Sequence, residues 1–176
     1  MLSQAVGYAA IALGYVAAGG GKSILVKQIA EDSDIPASYL AKIVNSLARK
    51  GIVATQRGIG GGVSLAKPAT EVTLFDLCVA LDDPSIQTRC MLGTAECSDA
   101  RACPAHQFWA SIRLRYVDYL QRMTVADVAA FELKRRSKAG NAAASLVASL
   151  GLPAMGAGVG GNAAGPEMGD LPPDLA

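Results

Sequence analysis

The sequence is poor in the residue types that enzymes and exported proteins need. Its 176 residues include one histidine, and aromatic residues make up 5% of the chain. One histidine leaves little room for acid–base catalysis, and no serine has a matching His/Asp partner set, so we predict neither an enzyme nor a small-molecule substrate. The first basic residue is Lys22, so the apolar start lacks the positive region that opens a signal peptide.

Long hydrophobic runs are also missing. The stretch AVGYAAIALGYVAA is broken by Gly and Tyr and is shorter than the roughly 20 apolar residues of a membrane span. Val6, Ala9 and Leu13 instead recur at helical spacing, which predicts a buried helix over residues 3–18. We therefore expect a cytoplasmic protein with no membrane partner. In that compartment, clustered cysteines more often bind metal or undergo redox chemistry than form structural disulfides.

Charge is distributed unevenly along the chain, although the formal net charge is only +1. Residues 22–67 carry seven Lys or Arg against three acidic residues, whereas residues 68–105 carry six acidic residues against two Arg. A basic first third favours a polyanionic partner.

The order of the predicted elements in this basic region is that of a winged helix-turn-helix. A short helix at LVKQIAED precedes PASYLAKIVNSLARKG, in which Leu40, Ile43, Val44 and Leu47 predict one buried face. IVATQ and GVSLA, joined by RGIGG, predict a β-hairpin with a glycine-rich tip. The second helix of such a unit enters the major groove of DNA. We therefore predict a mainly α fold with a small β-hairpin, and DNA contacts from Ser38, Tyr39, Lys42, Asn45, Arg57, Gly58, Gly60 and Gly61.

The second half of the chain predicts a long helix from about residue 104 to 123. Such a helix spans about 30 Å and carries an apolar stripe longer than one winged domain can cover. We therefore predict a homodimer that reads a pseudo-palindromic double-stranded DNA operator. The predicted domains are a winged helix-turn-helix at 1–84, a cysteine-rich loop at 85–104, a dimerisation helix and a short helix capped by Thr124 at 105–136, and an Ala/Gly-rich flexible tail at 137–176.

Three of the four cysteines and the only histidine fall within CMLGTAECSDARACPAH. Six residues separate Cys90 from Cys97, five separate Cys97 from Cys103, and His106 follows three positions later. Structural zinc sites usually pair their ligands as C-x₂₋₄-C, so these wide gaps favour an iron–sulfur cluster over zinc. A disulfide is an alternative, but it would leave one of the three loop cysteines unpaired. The alternative for His106 is a solvent-facing residue at the start of a helix, with no role as a ligand. Cys78, on the apolar side of LFDLCVAL, is predicted to be a core residue.

The sequence resembles the Rrf2 family of winged-helix regulators, which includes IscR, NsrR and RirA, from Met1 to about Phe131. The resemblance rests on GYAAIALGYVA, on IPASYLAKIVNSLARKGIVATQRGIGGGVSLAK and on the cysteine loop. It implies a dimeric repressor or activator whose cluster state alters operator binding. It also implies that the cluster is [2Fe–2S], with [4Fe–4S] as the alternative, and that its ligands are Cys90, Cys97, Cys103 and the IscR-type fourth ligand His106.

Three features depart from the family pattern. The first cysteine gap is one residue longer than in IscR. Gly7 stands where NsrR has a ligating carboxylate, which argues against an NsrR-like nitric-oxide sensor. Ala41 stands where IscR has a glutamate linked to switching between DNA motifs. Two alternatives stay open: a thiol-redox DNA-binding regulator without a cluster, and a metal or interaction module that keeps the winged-helix scaffold without binding DNA.

Overall fold

The structure, a computed structural model, describes residues 1–58, 60–93 and 95–149, with residues 139–149 described by their backbone alone. It divides into two units, Met1–Ala139 and Gly140–Ala176. The predicted mainly α fold with a small β-hairpin is confirmed. The elements are α1 (Gln4–Ala18), α2 (Val26–Asp32), α3 (Ala37–Arg49), β1 (Val53–Gln56), β2 (Gly62–Leu65), α4 (Leu74–Ala80), α5 (His106–Arg122) and α6 (Val125–Ser149).

Helix α1 is the centre of the winged unit, by which we mean α1 to α4 with the hairpin. Val6, Ala9, Leu13 and Val16 are each at most 1% exposed, and the helix contacts α2, α3, α4 and β2. The Ser3 side chain begins the helix by accepting a hydrogen bond from the Val6 backbone N–H at 3.4 Å. A helix without charges is stable here because protein surrounds it on most sides.

Helix α3 packs on α1 and α2 through one face only. Leu40, Ile43, Val44 and Leu47 are all buried, as their spacing predicted. Burial of each such side chain contributes about 1.5–3 kcal/mol to folding. The opposite face of α3 is therefore left for solvent or for a partner.

The hairpin is anchored to the segment between α1 and α2. β1 and β2 pair antiparallel, with Val53 opposite Leu65. Ile24 extends the pairing, because its N–H donates to the Val63 carbonyl at 3.0 Å and its carbonyl accepts from the Val63 N–H at 2.8 Å. A Cβ on Gly62 would lie 2.5 Å from the Ile24 carbonyl oxygen, so only glycine fits at this crossing.

The start of α6 is joined to the start of α4. Thr124 caps α6, as predicted: its hydroxyl accepts from the Asp127 N–H at 3.3 Å, and the Asp127 carboxylate accepts from the Thr124 N–H at 2.8 Å. Across the junction, the Leu74 N–H donates to the Met123 carbonyl at 2.9 Å. The α5–α6 corner is thereby tied to the winged unit.

Helix α6 is longer than the short helix that the sequence predicted. The sequence predicts an Ala/Gly-rich tail from Ser137 onward, with NAAASLVASL as a candidate transient helix inside it, and α6 continues to Ser149. Alanine is the strongest helix former, and NAAASLVAS contains no proline, so helix formation does not need the large apolar side chains that this segment lacks. The rest of the predicted tail, residues 150–176, lies outside the described residues. Among the helices described, none is long and apolar enough to cross a membrane.

Candidate functional site

The cysteine loop, residues 85–104, begins as a small hairpin that is fastened to α5. Arg89 and Glu96 form an antiparallel bridge, and the Cys97 N–H donates to the Thr88 carbonyl at 2.8 Å. The Trp109 indole N–H donates to the Arg89 carbonyl at 2.9 Å. Because a half-buried indole N–H needs an acceptor, the chain's single Trp is a signal that sequence reasoning could have used. These bonds hold the loop beside the first turn of α5.

The four predicted ligands form two pairs. The Sγ atoms of Cys90 and Cys103 are 3.7 Å apart. The Sγ atom of Cys97 lies 3.3 Å from Nδ1 of His106. All four residues are half-buried. The sequence predicted one set of four and carried no indication of this division.

The donor types fit an iron–sulfur cluster, because three thiols and one imidazole are ligands that hold such clusters in proteins. The geometry is incomplete, however. Within the described part of the chain, no group of three or more His, Cys, Asp and Glu side chains is arranged to hold a metal ion. A cluster held by all four donors would take its ligands from both pairs.

Asp99 orients the imidazole of His106. Its Oδ1 atom lies 2.9 Å from Nε2 of the ring, on the side opposite Cys97. A proton on Nε2 donates to this carboxylate and leaves the Nδ1 lone pair facing Cys97, the usual arrangement of a ligating histidine with an outer partner. The histidine side chain is 12% exposed, whereas that of Asp99 is fully exposed. Nothing in the sequence singled out Asp99.

The cysteines differ in their electrostatic surroundings. Hydrogen bonding from the Leu92 backbone N–H, followed by the contact with Cys103, holds the pKa of the Cys90 thiol below its usual range. Burial raises the pKa of the Cys78 thiol to about 11. Cys78 is 0% exposed, so the prediction that it is a core residue is confirmed.

Asp83 fixes the chain where it enters the cysteine loop. Its carboxylate is 2% exposed and accepts hydrogen bonds from the backbone N–H groups of Ser3, at 3.0 Å, and Ser85, at 2.8 Å. Burial by itself raises the pKa of this carboxyl, but the bonds from Ser3 and Ser85 outweigh it and hold the pKa below its usual range. Asp83 thus joins the start of α1 to the loop, a contact across 80 positions that sequence reasoning missed.

Most of the predicted DNA contacts lie on one exposed surface, formed by the outer face of α3 and the hairpin near Arg57, which we call the reading surface. Asn45, Arg57 and Gly58 line a groove between α3 and the hairpin, together with Lys27 and Gln56, which the sequence analysis did not select. Seven of the eight predicted contact residues are exposed, namely Ser38, Tyr39, Lys42, Asn45, Arg57, Gly58 and Gly60.

Three of the eight predicted contact residues, Tyr39, Gly58 and Gly61, also contact other residues of the protein. Gly61 is buried, its N–H donates to the Gly58 carbonyl at 2.9 Å, and a Cβ at this position would lie 2.3 Å from the Gln56 carbonyl oxygen. Glycine at position 61 is therefore needed to close the hairpin, whether or not it touches DNA. The Tyr39 ring packs edge-on against Tyr8 of α1, with centroids 5.8 Å apart.

A polar contact connects α6 with the helix-turn-helix. The Tyr15 hydroxyl bonds to the Asp32 carboxylate at the end of α2, and this bond raises the pKa of Tyr15. The Arg136 guanidinium lies over the Tyr15 ring, 3.9 Å from its centroid. The last residue of α2, just before the turn into α3, is thereby joined to α6.

Helix α5 buries only part of its apolar stripe against its own chain. Leu120 is 1% exposed, and Tyr116 packs against the core. Ile112 and Tyr119 stay 39% and 53% exposed, and Phe108, on the same side of the helix, is 61% exposed. The domain covers the end of the stripe and leaves an apolar face free along the rest.

Comparison with known proteins gives consistent matches over this part of the chain. Residues 2–130 match the Rrf2 family model, described as iron-dependent transcriptional regulator. Protein aau3 of Rhizobium meliloti is 32% identical over 72% of this chain and 83% of its own. The HTH-type transcriptional regulator IscR of Vibrio vulnificus is 30% identical over 69% of this chain and 72% of its own.

Solved structures show the same fold at lower identity. CymR, the global cysteine regulator of B. subtilis, superposes with a TM-score of 0.63 at 23% identity, covering 74% of this chain and 97% of CymR. IscR of T. potens superposes with a TM-score of 0.58 at 21% identity, covering 79% of this chain and 90% of that one. The winged-helix architecture is therefore shared with both.

Proposed function

Because the chain belongs to the Rrf2 family of transcriptional regulators, we propose that it binds operator DNA with an affinity set by an iron–sulfur cluster on Cys90, Cys97, Cys103 and His106. The observation that carries this proposal is the pairing of three loop cysteines and the first residue of α5, with Cys90–Cys103 and Cys97–His106 separations of 3.7 and 3.3 Å. IscR among the relatives supports it. A [2Fe–2S] cluster suits three thiolates and one imidazole, and [4Fe–4S] is the alternative.

The DNA half of the proposal rests on the reading surface. Ser38, Lys42 and Asn45 lie at i, i+4 and i+7 of α3, so their donors share one exposed face that suits the major groove. Arg57 stands at the hairpin, where a guanidinium suits a backbone phosphate. The exposed apolar face of α5 supports a homodimer, which presents two such surfaces to a pseudo-palindromic operator.

Two residues that flank the cysteine loop, Asp83 and His106, connect it to α5 and to α1, on which α3 packs. A cluster held by Cys90, Cys97, Cys103 and His106 would supply a redox-sensitive centre at this point of the fold. His106 begins α5, and Asp83 links the loop entry to the start of α1. Movement of either residue changes how α5 and α1 pack against α4, and through a dimer it changes the spacing of the two reading surfaces. The change in operator affinity is set by the difference in DNA-binding free energy between the cluster-bound and the cluster-free conformation.

The first test is composition. The full chain, purified without oxygen, is expected to contain iron and acid-labile sulfide and to absorb visible light. Cys97→Ala should lose this absorbance and its iron while keeping its helical circular dichroism. Cys78→Ala is the matched control, because it removes a thiol from the core and leaves all four proposed ligands in place. Iron-free wild-type protein, or full absorbance in Cys97→Ala, contradicts the ligand assignment.

The second test is DNA binding by the same samples. Duplexes selected from a random library by the loaded protein are used in shift assays with loaded and metal-free protein. Arg57→Ala is expected to weaken binding and to lower the salt dependence by about one released counterion, whereas Lys67→Ala, at the base of the hairpin, should not. Peroxide-dependent binding without iron points to a thiol regulator. Failure to select any duplex in any state points to a metal or interaction module.

A further inference from the structure

The four thiols of the chain are in three different situations. Cys78 is enclosed in the core, with no exposed surface. Cys97 faces the His106 ring, and its sulfur lies 3.3 Å from Nδ1. Cys90 and Cys103 face each other with sulfurs 3.7 Å apart, and both are half-buried, so a small oxidant can reach them.

The Cys90–Cys103 pair is close to the geometry of a disulfide. Joining sulfurs that are 3.7 Å apart into a bond of about 2.05 Å requires an approach of about 1.7 Å. The two residues are 13 positions apart and lie in a loop held mainly by hydrogen bonds, so side-chain rotation and a small backbone shift can supply this movement. Cys97 must first leave His106 to reach either sulfur.

We propose that a peroxide joins Cys90 to Cys103 in the metal-free protein, and that this disulfide closes the ligand site until a reductant reopens it. Closure of the ligand site rests on the proposed cluster-binding function, whereas formation of the Cys90–Cys103 disulfide does not. Cys90 and Cys103 are then the two thiols that react, and uptake of a cluster depends on whether they have been oxidised beforehand.

The reaction balances with the peroxide as the two-electron oxidant. One of the two thiolates attacks a peroxide oxygen, the O–O bond breaks, and a sulfenic acid forms while the departing oxygen leaves as water or an alcohol. The other sulfur attacks the sulfenic sulfur, its proton leaves with the displaced hydroxide as water, and the S–S bond forms. A dithiol returns two electrons and restores both thiols.

Closure of the site follows from the donor count. The disulfide removes two of the three thiolates and leaves only Cys97 and His106. Two donors are too few for a cluster held by four, so we expect iron uptake to fall by about tenfold or more after oxidation and to recover after reduction with dithiothreitol.

The test begins with metal-stripped, fully reduced, full-length protein treated with hydrogen peroxide. Free thiols are alkylated, and trypsin with Glu-C cleaves after Arg89, Glu96 and Arg101, which puts each loop cysteine on its own peptide. Mass spectrometry is expected to find the Cys90 peptide linked to the Cys103 peptide. Cys78 and Cys97 should be alkylated, and the chain should stay monomeric on a non-reducing gel. A link to Cys97, a link between chains, or no link overturns the proposal.

Three variants and one reconstitution complete the test. Cys97→Ser should keep the cross-link. Cys90→Ser and Cys103→Ser should both abolish it, and in at least one of these two variants dimedone should trap a sulfenic acid on the remaining thiol of the pair. Ferrous iron and sulfide are then offered to oxidised and re-reduced wild-type protein. Equal iron uptake by both refutes closure of the site. A cross-link that forms in protein that never takes up iron leaves the disulfide standing and refutes the cluster function instead.

Discussion

The winged unit is held by buried apolar side chains, whereas the cysteine loop is held by a few hydrogen bonds and two pairs of donor atoms. In the winged unit Leu13, Leu40 and Leu77 are at most 1% exposed. In the loop the three proposed cysteine ligands are half-buried, and Met91 and Leu92 are 54% and 66% exposed. This difference suits the proposed switch, because the loosely held loop can rearrange without unfolding the winged unit.

The largest effect on stability should come from the core. Leu77→Ala deletes a fully buried side chain between α4 and its neighbours and should lower the free energy of unfolding by about 2–5 kcal/mol, because it leaves a cavity. Leu92→Ala, in the loop, should change it by less than about 0.5 kcal/mol. Urea unfolding followed by circular dichroism measures both. If both variants lost the same free energy of unfolding, the winged unit and the cysteine loop would not differ in how they are stabilised.

A smaller effect is expected at Asp83, where the two regions join. Asp83→Asn weakens the bonds to the Ser3 and Ser85 N–H groups and should cost about 1–3 kcal/mol at pH 7, because the carboxylate is buried. The pKa of Asp83 is lowered in the folded state, so its contribution is present above the unfolded pKa of about 3.9 and is lost as pH falls through the folded pKa.

Urea unfolding of the wild type and of Asp83→Asn at neutral and acidic pH follows this contribution. The two stability curves should lie apart at neutral pH and converge in acid, below about pH 4. Curves that stay parallel throughout would show that the carboxylate charge of Asp83 is not what joins the loop entry to α1.

The smallest effect on stability should come from Asp99, although its effect on metal binding should be large. Asp99→Ala should leave the unfolding midpoint unchanged, because this side chain is fully exposed. It should weaken iron retention against a chelator by about 10–100-fold, because His106 loses the partner that orients its ring. Asp99→Asn keeps an acceptor oxygen and should restore most of the retention.

Asp118→Ala, which removes another exposed carboxylate from the same half of the chain, is the control for Asp99→Ala and should retain iron like the wild type. Equal chelator sensitivity of the two alanine variants would mean that overall charge acts on the metal site, and that orientation of His106 by Asp99 does not.

Much of the winged unit, and the start of α6, could be predicted from local patterns. The spacing of Leu40, Ile43, Val44 and Leu47 identified the buried face of α3, and Thr124 identified the start of α6, because both signals depend on residues within one or two helical turns. The family resemblance is confirmed, and with it the expectation of a transcriptional regulator. The end of the helix after Thr124 could not be fixed from the sequence, because alanine-rich segments such as NAAASLVASL favour a helix without marking where it stops.

The sequence by itself determined the faces of the helices, the place of the hairpin and the chemical types of the loop donors, because these follow from residues that are near neighbours along the chain. Only the tertiary structure decided that Cys90 faces Cys103, that Cys97 faces His106, that Asp83 bonds to Ser3, and that Gly61 and Gly62 close the hairpin. Each of these contacts depends on how separate segments meet in space. Spacing along the chain shows which donors are present, and packing between segments decides which of them pair.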